Sequence, residues 1–129
     1  MQQNYLPSTF SFEIGGYPGP FFSVYLSEGG LVYKKTSATP VFLVIQPTEE
    51  RWESFWRTVN RLDIWNWRGQ YQYPAFDGTT WSLAITYNGR AIISEGSNGY
   101  PGSDNAEPSL EFRRFLAALS KLVGGLEVF

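Results

Sequence analysis

The chain contains no cysteine and no histidine, and only one methionine. Without thiols there are no disulfides, no thiolate nucleophile, no zinc–sulfur site and no iron–sulfur cluster. Without imidazole there is no Ser-His-Asp or Cys-His catalysis, no histidine metal ligand, and no side chain whose ordinary pKa lies near neutrality. No apolar run approaches the ~20 residues that span a bilayer. The opening MQQNYLPSTF has neither the basic nor the apolar region of a secretory signal. The expectation is a soluble cytoplasmic protein with no cofactor and no membrane association. Charge of either sign is also scarce in bulk: the net value is −2, with acidic and basic residues interspersed. A nucleic-acid partner ordinarily calls for a basic stripe, and none is present.

What the sequence does hold is aromatic rings, with 10 Phe, 8 Tyr and 5 Trp among 129 residues. A chain of this length forms one domain, here residues 1–129, and buries roughly two-thirds of its unfolded surface. Rings in such number suit broad, half-buried sheet surfaces.

The strongest local signal is at residues 77–102, DGTTWSLAITYNGRAIISEGSNGYPG. Two alternating segments, Trp81–Tyr87 and Arg90–Glu95, meet at Asn88-Gly89, the dipeptide that favours a two-residue hairpin turn. That turn pairs Tyr87 with Arg90, Ile85 with Ile92, Leu83 with Ser94 and Ser82 with Glu95, and puts Trp81, Leu83, Ile85 and Ile92 on one face. A polar, glycine-rich loop, Gly96–Gly102, follows.

Upstream, Thr9–Ile14 alternates with period two, and Phe21–Ser27 and Leu31–Thr36 form a hairpin around Glu28-Gly29-Gly30. Val41–Gln46 is apolar at five successive positions between Pro40 and Pro47, which predicts a central strand covered on both faces. Thr48 is the expected N-cap of a helix whose stripe is Trp52, Phe55, Trp56, Val59 and Leu62. A second helix carries Phe112, Phe115, Leu116, Leu119, Leu122 and Val123, with Pro108 in its first turn and Gly124-Gly125 as its stop. Trp67–Tyr71 is a candidate short strand, and the final LEVF either adds an edge strand or covers the core. The order β-β-β-β-α-(β)-β-β-α predicts an α+β two-layer sandwich: a mostly antiparallel sheet of about six strands with two helices packed on one face. Some of the Tyr and Trp are expected to line the other face.

Acid–base candidates cluster around the hairpin: Asp77, Glu95, Asp104 and Glu107. Two carboxylates about 5–10 Å apart in an aromatic cleft would suit glycoside chemistry. Turn and strand-end roles account for these residues better than catalysis does. Ser97 has no histidine to activate it, and Gly96-Ser97-Asn98-Gly99 matches neither a P-loop nor G-x-G-x-x-G. Ser103–Glu107 offers oxygen ligands without EF-hand spacing. Arg61, Arg68 and Arg90 lie near aromatics but form no stripe for single-stranded nucleic acid. The best candidate for recognition is an aromatic–polar patch of Tyr71, Tyr73, Asp77, Trp81, Asn98 and Tyr100, a mixture suited to sugars, peptides or a partner protein. The same rings would also serve as packing that holds the loop.

The order DG-x-x-W-x-L-x-I-x-Y, then S-x-G-S-N-x-Y-P, then F-x-x-F-L-x-x-L resembles a group of small bacterial α+β domains of unknown function. It is carried by Asp77, Gly78, Trp81, Leu83, Ile85, Tyr87, Ser94, Gly96, Ser97, Asn98, Tyr100, Pro101, Phe112, Phe115, Leu116 and Leu119. SDNAEPSLE at 103–111 departs from that pattern. The resemblance implies the fold, a bacterial origin, and a shared role for the SNGYP loop; it carries no catalytic residue. The leading expectation is a non-enzymatic domain that binds a protein or peptide through an aromatic sheet face, the hairpin and the Gly96–Gly102 loop. Two alternatives stay open: a small-ligand or sugar-binding domain, including a weak hydrolase using Asp77 and Glu95, and a self-associating module pairing an exposed strand edge as a homodimer.

Overall fold

Alternating sequence becomes strand in a computed structural model that describes residues 4–75 and 78–129. The strands are β1 (Thr9–Gly15), β2 (Phe21–Ser27), β3 (Gly30–Thr36), β4 (Val41–Ile45), β5 (Gln70–Gln72), β6 (Thr80–Tyr87) and β7 (Arg90–Ser97). Helix α1 (Glu49–Arg61) and a 3₁₀ turn at Ile64–Asn66 lie between β4 and β5, and α2 (Leu110–Leu122) follows β7. The architecture is α+β. One sheet runs in the order β4-β3-β2-β1-β6-β7-β5. All neighbours are antiparallel except β5 and β7, which are parallel. The seventh strand is the three-residue β5, which overlaps the end of the Trp67–Tyr71 segment expected to be a short strand and runs one residue past it, to Gln72.

The Asn88-Gly89 turn sets the register of β6 on β7 as the dipeptide predicts, with Tyr87 opposite Arg90, Ile85 opposite Ile92 and Ser82 opposite Glu95. Both turn residues have positive φ, 51° and 78°, the conformation that a two-residue turn matching strand twist requires. Thr48 caps α1 by accepting from the Arg51 N–H at 3.2 Å. The cap of α2 is Ser109, which accepts from the Phe112 N–H at 3.1 Å. Pro108 therefore precedes the cap instead of occupying the first turn. A serine hydroxyl satisfies an otherwise orphan helix N–H, which proline in that turn does not.

Both helices pack on the face presented by Phe10, Phe12 and Ile14 of β1 and by Trp81, Leu83 and Ile85 of β6, all buried. Phe10 meets Trp52 and Phe55 of α1, and Phe12 meets Phe112 and Phe115 of α2. Every tryptophan joins this side: Trp56 stacks between Tyr87 and Trp65, and Trp67 packs on Trp81 and Phe112. The open face carries no Trp among the described residues, contrary to the expectation, because indoles offer the area that a helix–sheet core needs. Its exposed rings are Phe21, Phe42 and the half-buried Tyr25. The C-terminal LEVF forms no strand. It lies over β3, where the Tyr33 hydroxyl donates to the Glu127 carbonyl at 2.6 Å, Lys35 pairs with Glu127, and Val128 is buried.

The expectation of a central, doubly covered strand at Val41–Gln46 is also overturned. β4 is an edge strand paired only to β3, and Val41, Phe42, Leu43 and Val44 are 36, 62, 43 and 53% exposed. An uninterrupted apolar run signals that the two faces of a strand are alike, and it does not distinguish two covered faces from two open ones.

The face assignment has a direct test. Phe12→Ala should lower unfolding free energy by about 3–5 kcal/mol, while Ser11→Ala, one residue away on the open face, should stay within about 0.5 kcal/mol. Urea denaturation of both variants measures this.

Candidate functional site

The hairpin exit brings four of the six recognition candidates together, Tyr71, Trp81 and Tyr100 inside the core and Asn98 half-buried beside them. Tyr71, Trp81 and Tyr100 are 8, 3 and 2% exposed. Tyr71 stacks on Trp81 with centroids 6.1 Å apart, and Trp81 and Tyr100 meet Phe112 at 4.8 and 4.9 Å. Their polar atoms serve the backbone: the Trp81 indole donates to the Gly99 carbonyl at 2.9 Å, and the Tyr71 hydroxyl accepts from the Arg68 N–H at 2.8 Å. Asn98 adopts φ 58°, and its Oδ1 accepts from the Thr79 N–H at 2.9 Å. The glycines of the segment make room for this packing, since a Cβ on Gly96 would collide with the Trp81 indole and one on Gly78 with the Asn98 amide. Tyr73 stands apart, 39% exposed, held by its N–H donating to Ser97 O at 3.1 Å. Asp77 lies outside the described residues. The SNGYP segment is thus bolted to the core by Trp81, Tyr71 and Tyr100.

Among the other acidic candidates, Glu107 sits in a turn knit by its own hydrogen bonds. Ser103 Oγ donates to the Glu107 carbonyl at 2.7 Å, and the Glu107 N–H donates to Asn105 Oδ1 at 2.8 Å. No group of three or more carboxylates suited to a metal occurs among the described residues. Arg68 lies over the Tyr71 ring at 4.8 Å. Arg61 ends α1 and Arg90 opens β7, so the three arginines belong to different elements.

Glu95 falls on the open face, where strand register builds an arrangement that local reading missed. One transverse row runs across all seven strands: Phe42, Lys34, Ser23, Glu13, Ser82, Glu95 and Gln70. Glu13 and Glu95 flank Ser82 from either side, about 10 Å apart at two strand spacings. Gln70 Nε2 donates to Glu95 Oε1 at 3.1 Å. Together with Phe21 and Ser97 they line a shallow cleft of about 430 Å³. Carboxylates, amides and hydroxyls on a sheet floor can accept from hydroxyls or ammonium groups. No local motif marks Glu13, because it reaches this row only through the pairing of β1 with the distant β6.

Toward β4 the same face changes character. The neighbouring row is Val44, Val32, Tyr25 and Ser11, and the Lys34 ammonium lies 5.6 Å from the centroids of both Tyr25 and Phe42. The open face is therefore polar around Glu13 and Glu95 and apolar at its β4 edge, and the exposed Ile93 of β7 adds a separate apolar side chain at the other end of that neighbouring row. No helix among the described residues is long and apolar enough to cross a membrane. No protein-family model matches the sequence, and no curated protein matches it either.

Two measurements check the structural role of the buried rings. Trp81→Phe leaves the Gly99 carbonyl unmet in the core and should cost about 1–3 kcal/mol more than loss of ring area alone. Trp67→Phe removes an indole N–H that finds no partner among the described residues, so the hydrogen-bond penalty should be absent there. Chemical denaturation of the pair reads the difference. Burial pushes the Tyr100 phenol above its ordinary 10.0, with Glu107 adding to the rise. A raised folded pKa means the folded state holds its proton longer than the unfolded one, so this contribution is complete below pH 10 and is lost as pH climbs through the folded value. Tyr100→Phe should flatten the fall in stability above pH 10 in denaturation curves taken across that range.

Proposed function

We propose that this is a protein-binding domain that accepts an extended polypeptide segment along β4, using the apolar end of the open sheet face. The observation that carries the proposal is the exposure of the four successive apolar residues Val41–Val44 on an edge strand. Edge strands are ordinarily blunted by charge, proline, bulges or shortness. The opposite edge follows that rule, since β5 is three residues long and reads Gln-Tyr-Gln. β4 carries five apolar residues and no charge. Such an edge supplies backbone hydrogen bonds to an added strand, while pockets on either face read its alternate side chains. The contact is assigned to β4 and not to the Gly96–Gly102 loop because the one ring of that loop, Tyr100, is packed inward.

A second reading draws on the cleft between Glu13 and Glu95: a small polar ligand such as a sugar or an amine, seated over Ser82. The volume, about 430 Å³, lies within the range of small-molecule sites. A hydrolase built on Asp77 and Glu95 is supported among the described residues only by the position of Glu95.

Titration of ¹⁵N-labelled protein with short extended peptides rich in Val, Ile and Phe separates these readings. The expected result is shift changes centred on Phe42 and Val44 and spreading to Val32 and Tyr25. Changes confined to Glu13, Ser82 and Glu95 with added sugars or amines, and none along β4 with peptides, would transfer the function to the cleft.

A further inference from the structure

The backbone of β4 states which polypeptide fits it best. The Ser27–Gly30 turn is a two-residue hairpin connection, so Ser27 and Gly30 form a hydrogen-bonded pair, and such pairs alternate along an antiparallel ladder. The N–H and C=O groups of Gly30, Val32 and Lys34 therefore face β2, and those of Leu31, Tyr33 and Lys35 face β4. Their partners there are Ile45, Leu43 and Val41. The groups left pointing outward belong to Phe42 and Val44, which stand symmetrically about Leu43.

We infer that β4 pairs antiparallel with β4 of a second copy about a two-fold axis through Leu43; this rests on the reading of β4 as a strand-addition site. In that register Phe42 of each copy faces Val44 of the other as a hydrogen-bonded pair, satisfying all four outward groups on each strand. Leu43 meets its own counterpart, and Val41 faces Ile45. Both faces of the joined sheet continue without a break: Tyr25, Val32 and Val44 of one copy run into Phe42 of the other, and Val24, Tyr33 and Leu43 run into the same three residues reversed. β4 brings no charge to the contact, so a self-pairing meets no like-charge repulsion along the strand. Pro40 and Pro47, just outside the strand, limit the ladder to its five residues.

Area sets the strength. Four half-exposed apolar side chains present on the order of 300 Å² per copy, short of the roughly 1,200–2,000 Å² in total that stable interfaces bury. The dimer is accordingly weak and forms only as the chain is concentrated.

The absence of cysteine allows a clean test of the register. Sedimentation equilibrium of the full chain from low-micromolar to submillimolar concentration should show a monomer–dimer equilibrium. On mild oxidation the Leu43→Cys variant should cross-link, because facing residues of a non-hydrogen-bonded pair lie about 4.5 Å apart at Cα, within disulfide reach. Val41→Cys should not, because its own counterpart is displaced by four residues along the strand. Val44→Pro removes an outward N–H without touching the β3 ladder and should weaken dimerisation at least about tenfold. Should circular dichroism show that this variant is unfolded, Phe42→Lys replaces it and is expected to give the same loss. A chain that stays monomeric throughout the concentration range, or cross-linking of Val41→Cys as readily as Leu43→Cys, overturns the proposal. If the chain is monomeric while extended peptides still perturb Phe42 and Val44, the second copy is the wrong occupant and strand addition stands. If neither occurs, both fall.

Discussion

Two helices, each about 10 Å across, cover about 20 Å of a sheet, whereas seven strands spaced about 4.8 Å apart span about 29 Å. Everything else in this structure follows from that mismatch. The helices settle over the middle, where β1 and β6 supply Phe10, Phe12, Trp81, Leu83 and Ile85. The flanks need other cover. On the β7 and β5 side, the 3₁₀ turn and Trp67 fill the space, and Ser94 Oγ, buried at 1% exposure, donates to the Arg68 carbonyl at 2.6 Å. On the other side the C-terminal segment reaches β3 through Tyr33, Lys35 and Val128. Of β4, only Ile45 packs against the core, and Val41–Val44 stay exposed among the described residues.

The two ends of the sheet are consequently unlike. β5 is short, rich in glutamine, and joined to β7 and by one bridge to Asn98; β4 is longer, wholly apolar and paired on one side. On the open face, Glu13, Ser82 and Glu95 form a polar row over the middle and far strands, beside the single exposed Ile93 of β7, while Tyr25, Val32, Phe42 and Val44 gather near β4. An apolar edge continuous with an apolar patch is the arrangement that strand addition uses, and the polar cleft is a separate place with separate chemistry.

Local chemistry made much of this legible from sequence. Asn88-Gly89 dictated a turn type, and the turn dictated the β6–β7 register down to Ser82 opposite Glu95. Thr48 and the i, i+3, i+4 stripe marked α1, and the α+β class followed from the order of elements. What escaped was non-local. The pairing of β1 with β6 joins residues some seventy positions apart, Glu13 with Ser82 among them, and no short motif encodes it. VFLVI reads as a central strand yet lies at the edge, because its composition reports only that both faces are apolar. The aromatic–polar cluster at Tyr71, Trp81, Asn98 and Tyr100 was found as a cluster, but which face the helices would cover decided that its rings are packing. That choice depends on the whole sheet.

Hydrogen exchange along β4, carried out in dilute solution and read residue by residue after quenching, measures the edge itself. The amides of Leu43 and Ile45, bonded to β3, should be protected, while those of Phe42 and Val44 should exchange near the rate of open chain. Equal protection at all four, or fast exchange at Leu43 and Ile45 with slow exchange at Phe42 and Val44, would contradict an unguarded edge centred on Leu43.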